Sequence, residues 1–73
     1  MAATLATQPN GVLITDIAKP LVLLVPAGAF LYEFANGIRV ENEGTCFDLA
    51  IDDIAPGGTA TDAIAAITSL MPA

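Results

Sequence analysis

The stretch from Val25 to Asp53 alternates apolar and polar side chains over most of its length, and a period of two suits strands with one face on a core. Phe30, Tyr32, Phe34, Ile38 and Val40 share one parity, while Glu33, Arg39 and Glu41 share the other. Beyond Gly44, Phe47, Leu49 and Ile51 alternate with Asp48 and Asp52. The pattern predicts a β-hairpin. Its second turn falls at Asn42-Glu43-Gly44-Thr45, where a two- or a four-residue loop gives the same register: Ile38 opposite Leu49, Arg39 opposite Asp48 and Val40 opposite Phe47.

The first turn is less determined. Asn36-Gly37 is a strong hairpin signal, but a two-residue turn on that pair would set Phe34 with Arg39 and Tyr32 beside Glu41, which the parity argues against. Two geometries keep the aromatics with Ile38 and Val40. One is a three-residue loop, Ala35-Asn36-Gly37, with Gly37 left-handed; the other is a single long strand bulged at Gly37.

The flanks read more simply. Met1 to Gly11 is small and polar and ends in Pro9, Asn10 and Gly11, so residues 1–11 are expected to be an arm or loop ordered by docking. Val12 to Ile17 is a β-branched strand, and Lys19-Pro20 breaks it. Leu21 to Val25 has no polar alternation, which predicts a strand covered on both faces or sealed into an interface. After a loop through Pro56, Gly57 and Gly58, Ile64, Ile67, Leu70 and Met71 recur at helical spacing, with Thr61 as the expected N-cap and Asp62 in the first turn. No sustained internal repeat is legible. The expected fold is mainly β: a small antiparallel sheet or partial β-sandwich with a short C-terminal helix, one domain over 1–73 with a β-rich core at 12–54 and a helix at 61–71.

Seventy-three residues make a thin core, because a chain this short buries roughly 60% of the surface it exposes unfolded. The single Cys46 excludes an internal disulfide and the absence of His removes the commonest metal ligand, which leaves association as the means of support. With 55% hydrophobic and 14% charged residues, the chain is more apolar than an ordinary domain. Its net charge of −6, with Lys19 and Arg39 the two cations, offers no basic patch for nucleic acid and disfavours an anionic membrane. The apolar run at Leu21 is interrupted by Pro26 and Gly28 and closed by Glu33, short of a membrane span. The first residues lack the basic and apolar regions of a signal peptide, so synthesis in the cytosol is expected.

Each candidate for chemistry has a plainer reading. Cys46 lacks any His to activate it. Asp48 and Asp52 would point to one side of a strand and Asp53 to the other, a poor Ca²⁺ cage. Glu41 and Glu43 fit a solvated turn, and Pro56-Gly57-Gly58-Thr59 lacks the Lys of a phosphate loop. No catalytic residue, metal ligand or cofactor site is predicted. Interface residues are expected instead on three apolar segments: Leu21, Leu23 and Val25; the aromatic stripe Phe30, Tyr32 and Phe34; and the helical Ile64, Ile67 and Leu70.

Val25-Pro26-Ala27-Gly28, Ile38-x-Val40-x-Asn42, Gly44-Thr45, Phe47-x-Leu49-Ala50-Ile51 and Pro56-Gly57-Gly58 together resemble a pattern in small β-rich virion structural proteins of tailed bacteriophages. The resemblance covers roughly residues 22 to 58, and each motif is also ordinary β-turn chemistry. It implies a non-enzymatic structural protein, a capsid decoration or minor capsid protein first and a neck or tail component second. It further implies partners that are copies of the chain and other virion proteins, no cofactor, and a place in the virion after synthesis in the host cytoplasm. The segment before Ile38 is longer than in that pattern, and relatives continue with more strands where this chain reaches Ala73. Neighbouring chains are therefore expected to complete the sheet or cover its edges. The alternative is a soluble, cytosolic, oligomeric module that binds an apolar peptide or regulates a protein partner.

Overall fold

A computed structural model of the chain describes residues 3–73. Six strands, β1 (Thr4–Gln8), β2 (Gly11–Thr15), β3 (Val22–Pro26), β4 (Phe30–Phe34), β5 (Gly37–Asn42) and β6 (Thr45–Ala50), are followed by the helical turn α1 (Ile51–Ile54) and the helix α2 (Ala60–Leu70). They form two three-stranded antiparallel sheets, β1-β2-β3 and β4-β5-β6. The expected class, mainly β with a short C-terminal helix, is the class observed.

The core forms where the inner faces of the two central strands meet. Val12 and Ile14 of β2 and Ile38 and Val40 of β5 alternate with less buried neighbours, and Val25 and Leu49 join them from β3 and β6. Ile17, Ile54, Ala63 and Ile67 complete one cluster shared by both sheets and the helix. Each large member contributes about 1.5–3 kcal/mol by leaving water. Helix α2 lies across β1, β4 and β5 with Ala63 and Ile67, one turn apart, turned inward. Its N-cap is Thr59, whose Oγ1 accepts from the Asp62 amide at 3.2 Å while the Asp62 carboxylate accepts from the Thr59 amide at 3.2 Å, a reciprocal capping box.

The β5–β6 register is the predicted one: Ile38 faces Leu49, Arg39 faces Asp48 and Val40 faces Phe47. Glu43 (φ 50°) and Gly44 (φ 81°) both take left-handed conformations between Asn42 and Thr45, as a two-residue primed hairpin turn requires.

Several expectations are corrected. Thr4–Gln8 is a strand, not an arm, because its backbone completes the free side of β2, with Leu5 opposite Ile14. Met1 and Ala2 of the expected arm lie outside the described residues. The β4–β5 turn has two residues, Ala35 and Asn36, with Gly37 already in β5 opposite Phe34. Gly37 is there for close approach and not for a left-handed turn: a Cβ at this position would sit 2.0 Å from the Leu49 carbonyl oxygen. The register sets Tyr32 opposite Arg39 and Phe30 opposite Glu41, so the aromatics share a face with the charges and Leu31 takes the place inside.

Of the two alternatives for Leu21 to Val25, coverage on both faces is the one overturned, because β3 is an edge strand and Val22 is 55% exposed. The β-rich segment ends at Ala50, since Ile51 to Ile54 turn into helix and bury Ile54. Thr61, expected as the N-cap, instead donates its hydroxyl to Glu33 at 2.7 Å.

The two sheets also repeat each other, although the sequence shows no sustained repeat. Asn10-Gly11-Val12-x-Ile14 occupies the position in the first sheet that Asn36-Gly37-Ile38-x-Val40 occupies in the second. The Asn10 carbonyl accepts from Ala27 at 2.9 Å, and the Asn36 carbonyl from Ile51 at 3.0 Å. A Cβ on Gly11 would meet the Val25 oxygen at 2.1 Å, the counterpart of the Gly37–Leu49 approach. Few side chains coincide outside these positions, which is why the repeat is visible in register and not in composition.

Candidate interaction surfaces

The outer face of the second sheet is built in rows by strand register. Phe30, Glu41 and Cys46 form one row; Tyr32, Arg39 and Asp48 form the next; Phe34 lies opposite Gly37. Arg39 grips Asp48 with two parallel bonds, Nε to Oδ1 at 2.6 Å and Nη2 to Oδ2 at 2.8 Å. The same guanidinium lies 5.4 Å from the Phe34 ring centroid, within cation–π range. Hydrogen bonding to Arg39 lowers the Asp48 carboxyl below its ordinary range, and the Asp48 bond, reinforced by Tyr32, raises Arg39.

In the neighbouring row the Cys46 sulfur lies 3.4 Å from Glu41 Oε2. That carboxylate raises the thiol above its ordinary value, so Cys46 stays protonated and weakly nucleophilic. Around these polar pairs Phe30 is 69% exposed and Tyr32 39% exposed.

A second surface is the free edge of the first sheet. Leu21, at 76% exposure, leads into β3 and its exposed Val22. Beneath this edge runs a groove of about 360 Å³ walled by Leu23, Leu24, Pro26, Val40 and Phe47, with the Asn42–Thr45 turn at one end. A second cleft, of about 500 Å³, lies at the β4–β5 turn beside Glu33, Asn36, Ile51 and Asp52. Its Glu33 carboxylate already accepts from Thr61. Among the described residues, no group of three or more His, Cys, Asp or Glu side chains is gathered to hold a metal ion.

The expected interface residues divide by burial. Leu21, Phe30 and Tyr32 are open to a partner. Leu23, Ile64 and Leu70 are half-buried against the core, and Phe34 is half-buried beside Arg39. Val25 and Ile67, both expected at an interface, are wholly inside the chain because each sits on the inner side of its element.

No protein-family model, curated protein or solved structure matches this chain.

Val22 and Leu24 were not among the expected interface residues, yet they lie on the outer side of the β3 edge. Pro26 was the available signal. Proline cannot donate to a ladder and so belongs on edge strands, which places the whole of β3 at a sheet boundary.

Proposed function

We propose that this chain is a non-enzymatic structural protein of a bacteriophage particle, a capsid decoration or minor capsid protein first and a neck or tail component second. It stabilises an assembly by burying apolar surface between its own copies and against other virion proteins, without a cofactor. The observation that carries this reading is the exposure of Phe30, Tyr32, Leu21 and Val22 on a chain whose core is small. Covering such surface yields about 25 cal/mol per Å² before ordering costs, so many weak contacts repeated over a particle add to a large total. The motif resemblance to small virion proteins supplies the setting.

Co-sedimentation with intact particles tests the reading. Phe30→Asp or Tyr32→Asp is expected to abolish incorporation, while Glu43→Ala, on an exposed turn, is expected to incorporate normally. Particles that take up the aspartate variants as readily as the parent would remove the basis for an assembly role of this face.

The groove beside β3 favours a second reading, a soluble cytosolic oligomeric module that holds an apolar peptide over Leu23, Val40 and Phe47. Saturable binding of an apolar peptide, together with no association with particles, would support that reading over the first.

A further inference from the structure

We propose that β3 is a self-pairing edge, where a second copy of the chain adds its own β3 antiparallel and joins two three-stranded sheets into one of six strands. The inference rests on the assembly reading above and names the surface through which copies meet.

Of the four edge strands, β3 alone is both uncharged and uncovered among the described residues. Strand β1 is uncharged, but α2 packs on it, Thr7 donates to the Leu70 carbonyl at 2.6 Å, and Ala3 donates to Asp53 at 3.1 Å. Strand β4 carries Glu33 and is also flanked by α2. Strand β6, the counterpart of β3 in the second sheet, carries Asp48 and Cys46 where β3 carries Leu24 and Val22. One half of the repeat thus has a charged edge and the other an apolar one. Charge on an edge is a common guard against pairing, and its absence from β3 leaves that edge open to a partner strand.

The backbone of β3 points the same way. The Asn10 carbonyl accepts from the Ala27 amide at 2.9 Å, so the bonded pairs of this antiparallel ladder are Asn10–Ala27, Val12–Val25 and Ile14–Leu23. The intervening residues, Val22 and Leu24, direct their N–H and C=O groups away from β2. Among the described residues, no other element bonds to them. Pro26, which has no N–H to offer, also falls at an outward position.

The outward backbone groups of Val22 and Leu24 lie symmetrically about Leu23, and that self-complementary register selects a second copy as the occupant. Copies that each carry a net −6 repel, so a stable self-contact needs a stretch free of charge, and Pro20 to Tyr32 contains none. A two-fold axis through Leu23 pairs Val22 of one copy with Leu24 of the other, twice. All the outward N–H and C=O groups of Val22 and Leu24 are then used, and no bond is required of Pro26. Leu23 meets its own copy at the axis as a non-bonded pair, with Cα atoms about 4.5 Å apart. The partner's Leu21 and Leu23 would lie toward the groove lined by Leu23, Val40 and Phe47.

The test combines mass measurement with cross-linking of the full chain in a Cys46→Ser background. The chain is expected to be a dimer by light scattering, and Leu23→Cys to oxidise to a disulfide-linked dimer, since opposed non-bonded positions fall within disulfide reach. Leu24→Cys, displaced along the strand from its own copy, is expected not to cross-link. Val22→Asp, at an exposed site the monomer tolerates, is expected to weaken dimerisation roughly tenfold or more while circular dichroism stays unchanged. A monomeric chain, absence of the Leu23 cross-link, or a dimer indifferent to Val22→Asp overturns the proposal. Incorporation of Val22→Asp into particles at the parental level would overturn the β3 pairing while leaving the assembly role intact. Loss of uptake for Phe30→Asp with an intact dimer separates the aromatic face from the β3 edge.

Discussion

Arg39 and Asp48 face each other across β5 and β6, joined by two bonds of 2.6 and 2.8 Å on a face that also carries Phe30, Tyr32 and Phe34. The pair is exposed, so its main effect is to hold register and to orient the guanidinium over Phe34.

Its pH dependence has a definite sign. Asp48 is lowered in the folded chain, so its contribution is fully present above the ordinary carboxylate value of about 4 and is lost as pH falls through the lower, folded value. Asp48→Asn is therefore expected to be slightly less stable than the parent at neutral pH and to converge with it in acid. Urea unfolding of both proteins between neutral and acidic pH measures this, and a constant gap across that range would show that the pair is not the cause.

Gly11→Ala and Gly37→Ala are expected to be among the most damaging small substitutions. Each new Cβ would lie about 2 Å from a backbone carbonyl oxygen, that of Val25 or Leu49, and the strands would have to separate. A loss of about 3 kcal/mol or more is expected for each. Gly57→Ala has open space but a left-handed backbone (φ 78°), so about 1–2 kcal/mol is expected there. Denaturation midpoints of the three variants rank the two causes.

Thr59→Ala is expected to remove the side-chain half of the α2 capping box and cost about 1 kcal/mol. Thr61→Ala loses an exposed bond to Glu33 and is expected to cost about 0.5 kcal/mol or less. Equal losses on chemical denaturation would place the cap elsewhere.

Cys46 is expected to alkylate more slowly near pH 8 than an unstructured thiol, because Glu41 disfavours the thiolate. Glu41→Gln is expected to speed the reaction with iodoacetamide. No change in rate would show that Glu41 does not govern the thiol.

Local chemistry was enough for part of the fold. Asn42-Glu43-Gly44-Thr45 sets a tight turn whichever loop it forms, and the register through Arg39–Asp48 and Val40–Phe47 follows from it. The strands at Val12 and Leu21 were legible as short β-branched and apolar runs bounded by turn residues, and the helix carrying Ile64 and Ile67 by its spacing, since both signals act within one element. The true cap was readable as well: Thr59 precedes Asp62 at capping-box spacing, but Thr61 stood closer to the apolar run.

What tertiary structure decided is which face each strand shows to the core. Parity groups Phe30, Tyr32 and Phe34 with Ile38 and Val40, but a turn at Ala35-Asn36 reverses that grouping. Gly37 is needed inside β5, where the Leu49 carbonyl leaves no room for a side chain. Thr4–Gln8 likewise became a strand because β2 offered a free edge, not because its composition demanded it. Asn10-Gly11 and Asn36-Gly37 mark the repeat in the sequence, but only the ladder shows that they do the same work. A side chain's period is a property of its own segment, whereas its burial depends on a register set by contacts with residues far along the chain.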